Sequence, residues 1–233
     1  MLAALAGFDA CDVPHIVHHE VVDGRAIHTF TVCRGDPGPE YLAPTDHRRM
    51  HAAMTRLAEL HHELRTLPCT DRRTWGWLVN RLATVRAGDR RKLPLGADRV
   101  LERIAGLIPT AELAPDVQWL HGDYHLGNLL WTGDEVTGIV DFDDTGCGSA
   151  LAEAALSLFA CARQATEDRF TYDVDLWNTG LAGYGAALTT DRDELMRMFC
   201  ADQVLIHLRA AQRGLWDLTP GIGFWPCWAV LAE

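Results

Sequence analysis

The sequence is poor in lysine and in positive charge altogether. Lys92 is the only lysine among 21 basic residues, which face 32 acidic ones, and the formal net charge at pH 7 is −11. Because nucleic-acid binding requires clustered lysine and arginine to neutralise phosphates, this balance argues against DNA or RNA as a partner. An acidic surface would suit a cationic small-molecule substrate, although solubility alone explains it equally well.

Long apolar runs and paired cysteines are also missing. No stretch approaches the roughly 20 residues needed to span a bilayer, and the opening residues 1–12 lack the basic start of a secretory signal. The seven cysteines are odd in number, scattered and never spaced C-x-x-C. This pattern argues against a disulfide framework and a thiolate zinc site. We therefore predict a cytoplasmic protein without membrane contact, and the sequence leaves its oligomeric state open.

Most of the chain has helical periodicity, with two short regions that favour strands. Asp23-Gly24 between two apolar runs predicts an antiparallel strand pair over residues 15–33, and the Pro/Gly-rich residues 34–46 form a linker. Apolar residues at helical spacing predict a helix over 47–67, with Asp46 as its N-cap. The fold class is therefore α+β, in two unequal parts. Further helices are predicted at 74–86, 97–108, 149–165, 172–188, 191–213 and 224–231.

The stretch WLHGDYHLGNLLWTGDEVTGIVDFDD, residues 119–144, places many carboxylates between apolar runs that favour buried strands. TGDE predicts a hairpin turn, so Asn128 lies opposite a residue near 139 and finishes at the same end of the hairpin as Asp141. Asp123 lies in the loop just before. Three oxygen-bearing side chains therefore converge, which suits Mg²⁺ or Mn²⁺. The arrangement also suits phosphoryl transfer, in which catalysis is mostly positioning and charge neutralisation.

The same stretch resembles the aminoglycoside phosphotransferase and choline kinase-like superfamily, whose catalytic loop reads H-G-D-x-H-x-x-N. The matching residues are HGDYHLGN at 121–128 and GIVDFDD at 138–144. MTRLAELHHEL at 54–64 resembles the family's helix with its A-x-L-H element, and DGRAIHTFTVCRGDPG at 23–38 resembles its β-hairpin and hinge. The likeness runs over residues 1–165, approximately.

This resemblance implies a protein-kinase-like fold in two parts. Residues 1–35 would be a remnant of the nucleotide-binding lobe with its hinge, and 36–233 a mainly helical lobe that carries the catalytic β-hairpin. The implied function is transfer of the γ-phosphoryl group of ATP or GTP, with Mg²⁺ or Mn²⁺, to a hydroxyl of a small molecule. Aminoglycosides, choline and homoserine represent the classes of acceptor that the superfamily suggests.

The resemblance also implies a role for each site residue. Asp123 would be the catalytic base, and Asn128 and Asp141 would be the metal ligands. The backbone of Thr31, Val32, Cys33 and Arg34 would contact adenine. His121 and His125 would shape the loop, and the carboxylate of Asp143 would have a secondary metal or substrate role.

Three parts of the family pattern are not found before the hairpin: the Gly-rich phosphate loop, the strand lysine and the helix glutamate that pairs with it. Lys92 lies in a polar loop far downstream and does not replace the strand lysine. We therefore expect that the chain begins partway through the nucleotide-binding lobe and that, expressed alone, it shows negligible ATP-dependent phosphorylation. A further departure is Glu153, which stands where related sequences have aspartate and preserves the carboxylate.

Two other functions fit parts of the pattern. His121, Asp123 and His125 have a spacing typical of zinc or two-metal sites, which would suit a metal-dependent hydrolase, but that interpretation gives Asn128 no role. A non-catalytic, pseudokinase-like binding module would keep the cleft without the chemistry. Metal preference separates kinase from hydrolase, because the kinase would require Mg²⁺ or Mn²⁺ with nucleotide and the hydrolase tightly bound zinc.

Overall fold

The computed structural model describes Leu5 and residues 8–69, 78–111, 117–164, 171–185, 191–215 and 224–232. Within these residues the helices are α1 (His47–Arg65), α2 (Leu78–Ala87), α3 (Ala97–Ala111), α4 (Ala150–Ala162), α5 (Val174–Tyr184), α6 (Arg192–Gln212) and α7 (Phe224–Ala232). The strands are β1 (Ile16–Val22), β2 (Arg25–Phe30), β3 (Asp36–Pro37), β4 (Val117–Leu120), β5 (Leu129–Thr132), β6 (Glu135–Ile139), β7 (Gly146–Ser149), β8 (Arg163–Gln164) and β9 (Thr171–Tyr172).

The core of the molecule lies among α1, α4, α5 and α6. One face of α1 is fully buried at helical spacing, and α4 is apolar nearly all round, which is typical of a central helix. Of the described helices, none is long and apolar enough to cross a membrane. The buried side chains of the α1 face are Met50, Ala53, Met54, Leu57, Leu60, His61 and Leu64.

Two small antiparallel sheets lie against this helical body and carry the polar stretch. In one, β5 pairs with both β6 and β3, and Leu129 lies opposite Ile139. The backbone N–H of Val140 then donates to the carbonyl of Asn128 at 2.9 Å, so the predicted register is displaced by one residue. In the other sheet, β4 pairs with β7, with Trp119 opposite Cys147.

The β1–β2 ribbon stands apart from the core. Asp23 and Gly24 both have positive φ, 50° and 75°, as the two central residues of a type I′ turn require. Every residue of the two strands is exposed, and Val17 and Val21 are 61% and 65% accessible. The predicted strand pair is confirmed, but the strands end at Phe30, so residues 31–33 of the predicted range lie outside them.

The helix predictions are confirmed, with shifts at the ends. Residues 74–77, 165 and 186–188 of the predicted helices lie outside the described part of the chain. The helix predicted at 149–165 ends at residue 162, where the chain turns into β8 and pairs with β9, a pairing that the sequence did not predict. Asp46 stands at the N-cap of α1 but makes no capping bond, because its carboxylate accepts the N–H of Ala43 at 2.9 Å instead.

The expectation that cysteines remain unpaired is wrong for one pair. Cys69, just after α1, and Cys147, on β7, form a disulfide with Cα atoms 6.2 Å apart. The Nε1 atom of Trp119, on the neighbouring strand, donates to the Pro68 carbonyl at 3.0 Å and holds the same segment. Sequence spacing could not reveal this pair, because its members are 78 residues apart and meet only through β-sheet pairing. The other cysteines, all free, are Cys11, Cys33, Cys161, Cys200 and Cys227.

Candidate active site

The catalytic loop, residues 121–128, connects β4 to β5. Leu120 is buried at the end of β4, and Leu129 is buried at the start of β5. Between them, His125 accepts the backbone N–H of Gly127 at 3.1 Å and begins a short 3₁₀ turn. The two buried strand ends therefore fix both ends of a loop that is rich in polar side chains.

His121 is completely buried at the start of this loop. Its Nδ1 accepts the backbone N–H of Asp123 at 3.2 Å, so its Nε2 carries the proton and donates to the Val140 carbonyl at 3.0 Å. Burial lowers the pKa of His121, although the carboxylates of Glu153, Asp123 and Asp141 act in the opposite direction. The ring is therefore an uncharged connection between the catalytic loop and the residue that follows β6.

Asp123 points its carboxylate toward solvent at the middle of the loop, and its side chain is 51% accessible. The amide nitrogen of Asn128 donates to the Asp123 carbonyl at 2.8 Å and to its Oδ2 at 3.3 Å, and His125 Nε2 lies 3.5 Å from the same Oδ2. Partial desolvation raises the pKa of Asp123, but the hydrogen bonds from His125 and Asn128 and the charge of His125 outweigh it, and the pKa falls below its usual value. The side chain is therefore an ionised acceptor at neutral pH.

Asp141 lies one residue beyond the Val140–Asn128 hydrogen bond, at the open end of the β5–β6 hairpin. It is exposed and has a positive φ of 64°, an uncommon conformation for a residue other than glycine. The next residue, Phe142, is buried, and its ring centroid lies 4.5 Å from that of His121. This contact fixes the backbone just after Asp141. Asp143 is exposed and makes no ion pair or side-chain hydrogen bond with the described residues.

The predicted hinge segment, residues 31–34, lies beside β6 of the same hairpin. The N–H of Thr31 donates to the His15 carbonyl at 2.8 Å, and the N–H of Arg34 donates to the Asp12 carboxylate at 2.9 Å. The Arg34 guanidinium also binds that carboxylate, at 2.9 and 3.0 Å. Within the described part of the chain, the backbone polar groups of Val32 and Cys33 have no partner.

Glu153, a buried residue in the first turn of α4, holds the start of the catalytic loop. Its carboxylate accepts the backbone N–H groups of His121 at 3.2 Å and Gly122 at 2.5 Å, and it lies 2.7 Å from His61 Nε2. Burial raises the pKa of Glu153, but the hydrogen bond and charge of His61 and the backbone hydrogen bond from Gly122 outweigh that effect and lower it. The Tyr184 hydroxyl lies 2.8 Å from the other nitrogen of His61, which completes a buried polar chain. No sequence motif predicted this chain, because its members lie on three different helices, α1, α4 and α5.

Gly122 occupies a position that admits no side chain. Its φ is +92°, and a β-carbon there would collide with the backbone carbonyl of Asp144. The loop containing Asp123 is therefore packed backbone to backbone against the chain that follows Asp141.

Replacing Gly122 with alanine should therefore disturb the loop far more than the same change at Gly133. Gly133 has a similar φ, +63°, but open space around the built β-carbon. We expect Gly133→Ala to cost about 1 kcal/mol for its φ alone, and Gly122→Ala about 2–4 kcal/mol because the backbone must also move. Urea unfolding of both variants measures the difference, and equal losses would show that the collision does not matter.

A cavity of about 340 Å³ opens beside Asp123, between the catalytic loop and helices α2, α4 and α6. This volume falls within the range of small-molecule sites. Its wall contains polar side chains of both signs together with apolar ones. The residues of the wall that matter below are Arg81, Asp123, Asp144, Arg163, Phe199 and Asp202.

Asp202, on α6, pairs with Arg81 of α2 at 2.7 Å in this wall. Burial raises the pKa of Asp202 to about 6; Arg81 lowers it, whereas the nearby carboxylates of Asp123 and Asp144 raise it further. The cavity wall therefore carries both signs of charge: the carboxylates of Asp123, Asp144, Glu153 and Asp202 and the guanidinium groups of Arg81 and Arg163.

The hydrolase interpretation of His121, Asp123 and His125 does not fit this geometry. Both ring nitrogens of His121 are engaged within the fold, so neither can bind a metal ion. Among the described residues, no group of three His, Cys, Asp or Glu side chains could hold a metal ion.

Lys92 lies outside the site, as predicted: its Nζ donates to the Gln212 carbonyl at 2.8 Å.

Residues 1–196 match the sequence profile of the phosphotransferase enzyme family, APH. The chain belongs to this family. The phosphotransferase therefore acts on hydroxyl groups of small molecules, and the predicted family is confirmed. No curated protein is similar enough in sequence to be a significant match.

Solved structures show that the phosphotransferase has the predicted protein-kinase-like fold. The amicoumacin kinase hAmiN is 17% identical with a TM-score of 0.65, over 99% of this chain and 72% of its own. The macrolide 2′-phosphotransferase MphH of Brachybacterium faecium is 14% identical with a TM-score of 0.62, over 91% and 72%. Aminoglycoside 2′-phosphotransferase-IIIa is 16% identical with a TM-score of 0.64, over 99% and 78%.

Proposed function

We propose that this phosphotransferase moves the γ-phosphoryl group of ATP or GTP to an alcohol bound in the cavity beside Asp123. The observation that carries the proposal is the ionised, half-exposed carboxylate of Asp123 at the wall of that cavity, held by Asn128 and His125. A carboxylate so placed can accept the proton of a bound hydroxyl as the oxygen attacks phosphorus. Asp123 is therefore the proposed base.

We propose Asn128 and Asp141 as the ligands of Mg²⁺ or Mn²⁺. Their chemistry fits, because both offer oxygen at neighbouring positions of one hairpin end, and hard divalent cations prefer oxygen. The amide nitrogen of Asn128 is already bound to Asp123, which leaves its oxygen as the atom for a cation. When bound, the metal neutralises charge on the nucleotide phosphates.

The donor nucleotide is proposed to lie along residues 31–34. The backbone N–H groups of Thr31 and Arg34 already donate hydrogen bonds within the fold. The backbone polar groups that could bind a purine are therefore those of Val32 and Cys33. Structural relatives have been solved with AMP-PNP and with GDP, which supports a purine nucleotide without choosing its base. We propose residues 1–35 as nucleotide-binding, 36–233 as the part that binds metal and acceptor, and the cytoplasm, where such nucleotides are abundant, as the location.

Removing the Asp141 carboxylate tests this assignment. In the full chain, Asp141→Ala should lower Mg²⁺-dependent nucleotide affinity by at least tenfold, because a charged ligand of the metal is lost. Isothermal calorimetry with AMP-PNP, with and without Mg²⁺, measures the change. Asp134→Ala is the matched control, since it removes the same charge from the turn of the same hairpin, where Asp134 pairs with Arg49 at 3.2 Å. Equal affinity in both variants would refute the metal assignment.

A further inference from the structure

Arg163 occupies an unusual place in the cavity beside Asp123. It follows α4 directly, and its guanidinium carbon lies 5.2 Å from the ring centroid of Tyr41 and 5.8 Å from that of Phe199. Arginine stacks on aromatic faces in this way, and the rings restrict the orientation of its donor groups. The cation is therefore held in the wall of the cavity rather than free in solvent.

Arg163 has no anionic partner in the described part of the chain. Its Nε is buried without a hydrogen-bond acceptor, and no carboxylate forms an ion pair with it. The other arginine of the cavity, Arg81, has one, because Asp202 lies 2.7 Å away. The buried Nε is closed off from the cavity, so the donors left for a bound molecule are the two terminal guanidinium nitrogens, which also have no acceptor among the described residues.

We infer that Arg163 binds a carboxylate group of the acceptor alcohol. This inference rests on the proposed function and narrows its acceptor. The same wall carries the exposed carboxylate of Asp144, so the cavity offers both signs of charge to one small ligand. A hydroxyl compound with an amine and a carboxylate, such as a hydroxy amino acid, fits this pattern. A polycation would leave Arg163 unpaired and repelled.

The donor phosphates are a less suitable partner for Arg163. The cavity that it lines includes Asp123 but none of the proposed donor-side residues, Asn128, Asp141 and 31–34. Asp123 therefore separates the two sides, as expected for the residue that receives the acceptor's proton. Arginine's planar pair of donors matches the two oxygens of a carboxylate.

The test uses three probes that differ only in their charged groups. L-Homoserine carries amine and carboxylate, 3-amino-1-propanol lacks the carboxylate, and 4-hydroxybutyrate lacks the amine. By calorimetry on the full chain, L-homoserine should bind at least tenfold more tightly than 3-amino-1-propanol. Arg163→Gln should remove that preference, and Arg163→Lys, which keeps the charge without the planar donors, should retain part of it.

Arg192→Gln is the matched control, because Arg192 also lies over a ring, 6.0 Å from the centroid of Tyr172, but outside the cavity. Circular dichroism and thermal unfolding establish that the variants fold. Equal or tighter binding of 3-amino-1-propanol, no binding of any carboxylate probe, or an equal effect of the two glutamine variants would overturn the inference. So would a loss of Mg²⁺–AMP-PNP affinity in Arg163→Gln, because it would assign the guanidinium to the donor.

Failure of this inference differs from failure of the proposed function. By calorimetry, binding of kanamycin, a polycation, with no binding of L-homoserine would refute the role of Arg163 and leave the phosphotransferase mechanism intact. Absence of metal-dependent nucleotide binding would refute the proposed mechanism, whereas the carboxylate preference would still be measurable.

Discussion

Replacing Asp123 with asparagine should lower the turnover number for phosphoryl transfer by about 10²–10⁴-fold, the usual cost of losing a positioned base. Asparagine preserves the shape and the contacts to Asn128 and His125 but cannot take the hydroxyl proton. The KM for nucleotide should change little, since Asp123 faces the acceptor cavity. Steady-state kinetics in a form of the protein that turns over separates the two parameters. Turnover near the wild-type value would remove Asp123 from the role of base.

Replacing Glu153 with glutamine should produce the largest loss of stability. The buried carboxylate accepts three N–H groups, from His121, Gly122 and His61, and an amide oxygen alone cannot serve all of them. Breaking a buried charged pair costs about 3–5 kcal/mol. Because the catalytic loop loses its anchor, turnover should fall as well.

Urea unfolding measures the effect of Glu153→Gln, with Glu59→Gln as the control. Glu59 makes an i,i+3 pair with Arg56 at 2.6 Å, and because its side chain is still 43% accessible to water, such a pair contributes only about 0–1 kcal/mol. Because the folded pKa of Glu153 lies below its ordinary 4.5, the wild-type advantage is complete above that pH and is lost as the pH falls through the folded pKa. Similar losses in the two variants would show that the buried contacts contribute nothing special.

The part of the site that the sequence predicted is the part built from neighbours along the chain. Asp123 and Asn128 are five residues apart on one loop, and the β5–β6 turn brings Asp141 to them, so spacing and strand alternation were sufficient. The register was displaced by one residue because of a bulge between Leu130 and Trp131. The extra residue is Thr137 on β6, and a bulge leaves no clear mark in a strand of five residues.

The part that the sequence did not predict depends on contacts between distant segments. His61 and Glu153 lie on different helices, 92 residues apart. By itself, neither residue indicates anything beyond a position on a helix. The cavity wall joins Arg81, Arg163 and Asp202 from three further elements in the same way. Such convergence is set by how the helices pack, and periodicity within one helix carries no information about it.

The ribbon of β1 and β2 contributes little to the folding of the rest of the chain. Two strands without a covered face are at best marginally stable in water, so the ribbon should open and close many times during the lifetime of the folded core. The ion pair between Arg34 and Asp12 joins the chain before β1 to the chain after β2, next to the segment proposed to bind the purine. A nucleotide bound there would select the ordered members of this population. The measured affinity for the nucleotide would then include the conformational entropy that the ribbon loses when it becomes ordered. That cost would be smaller if a partner already covered one face of the ribbon.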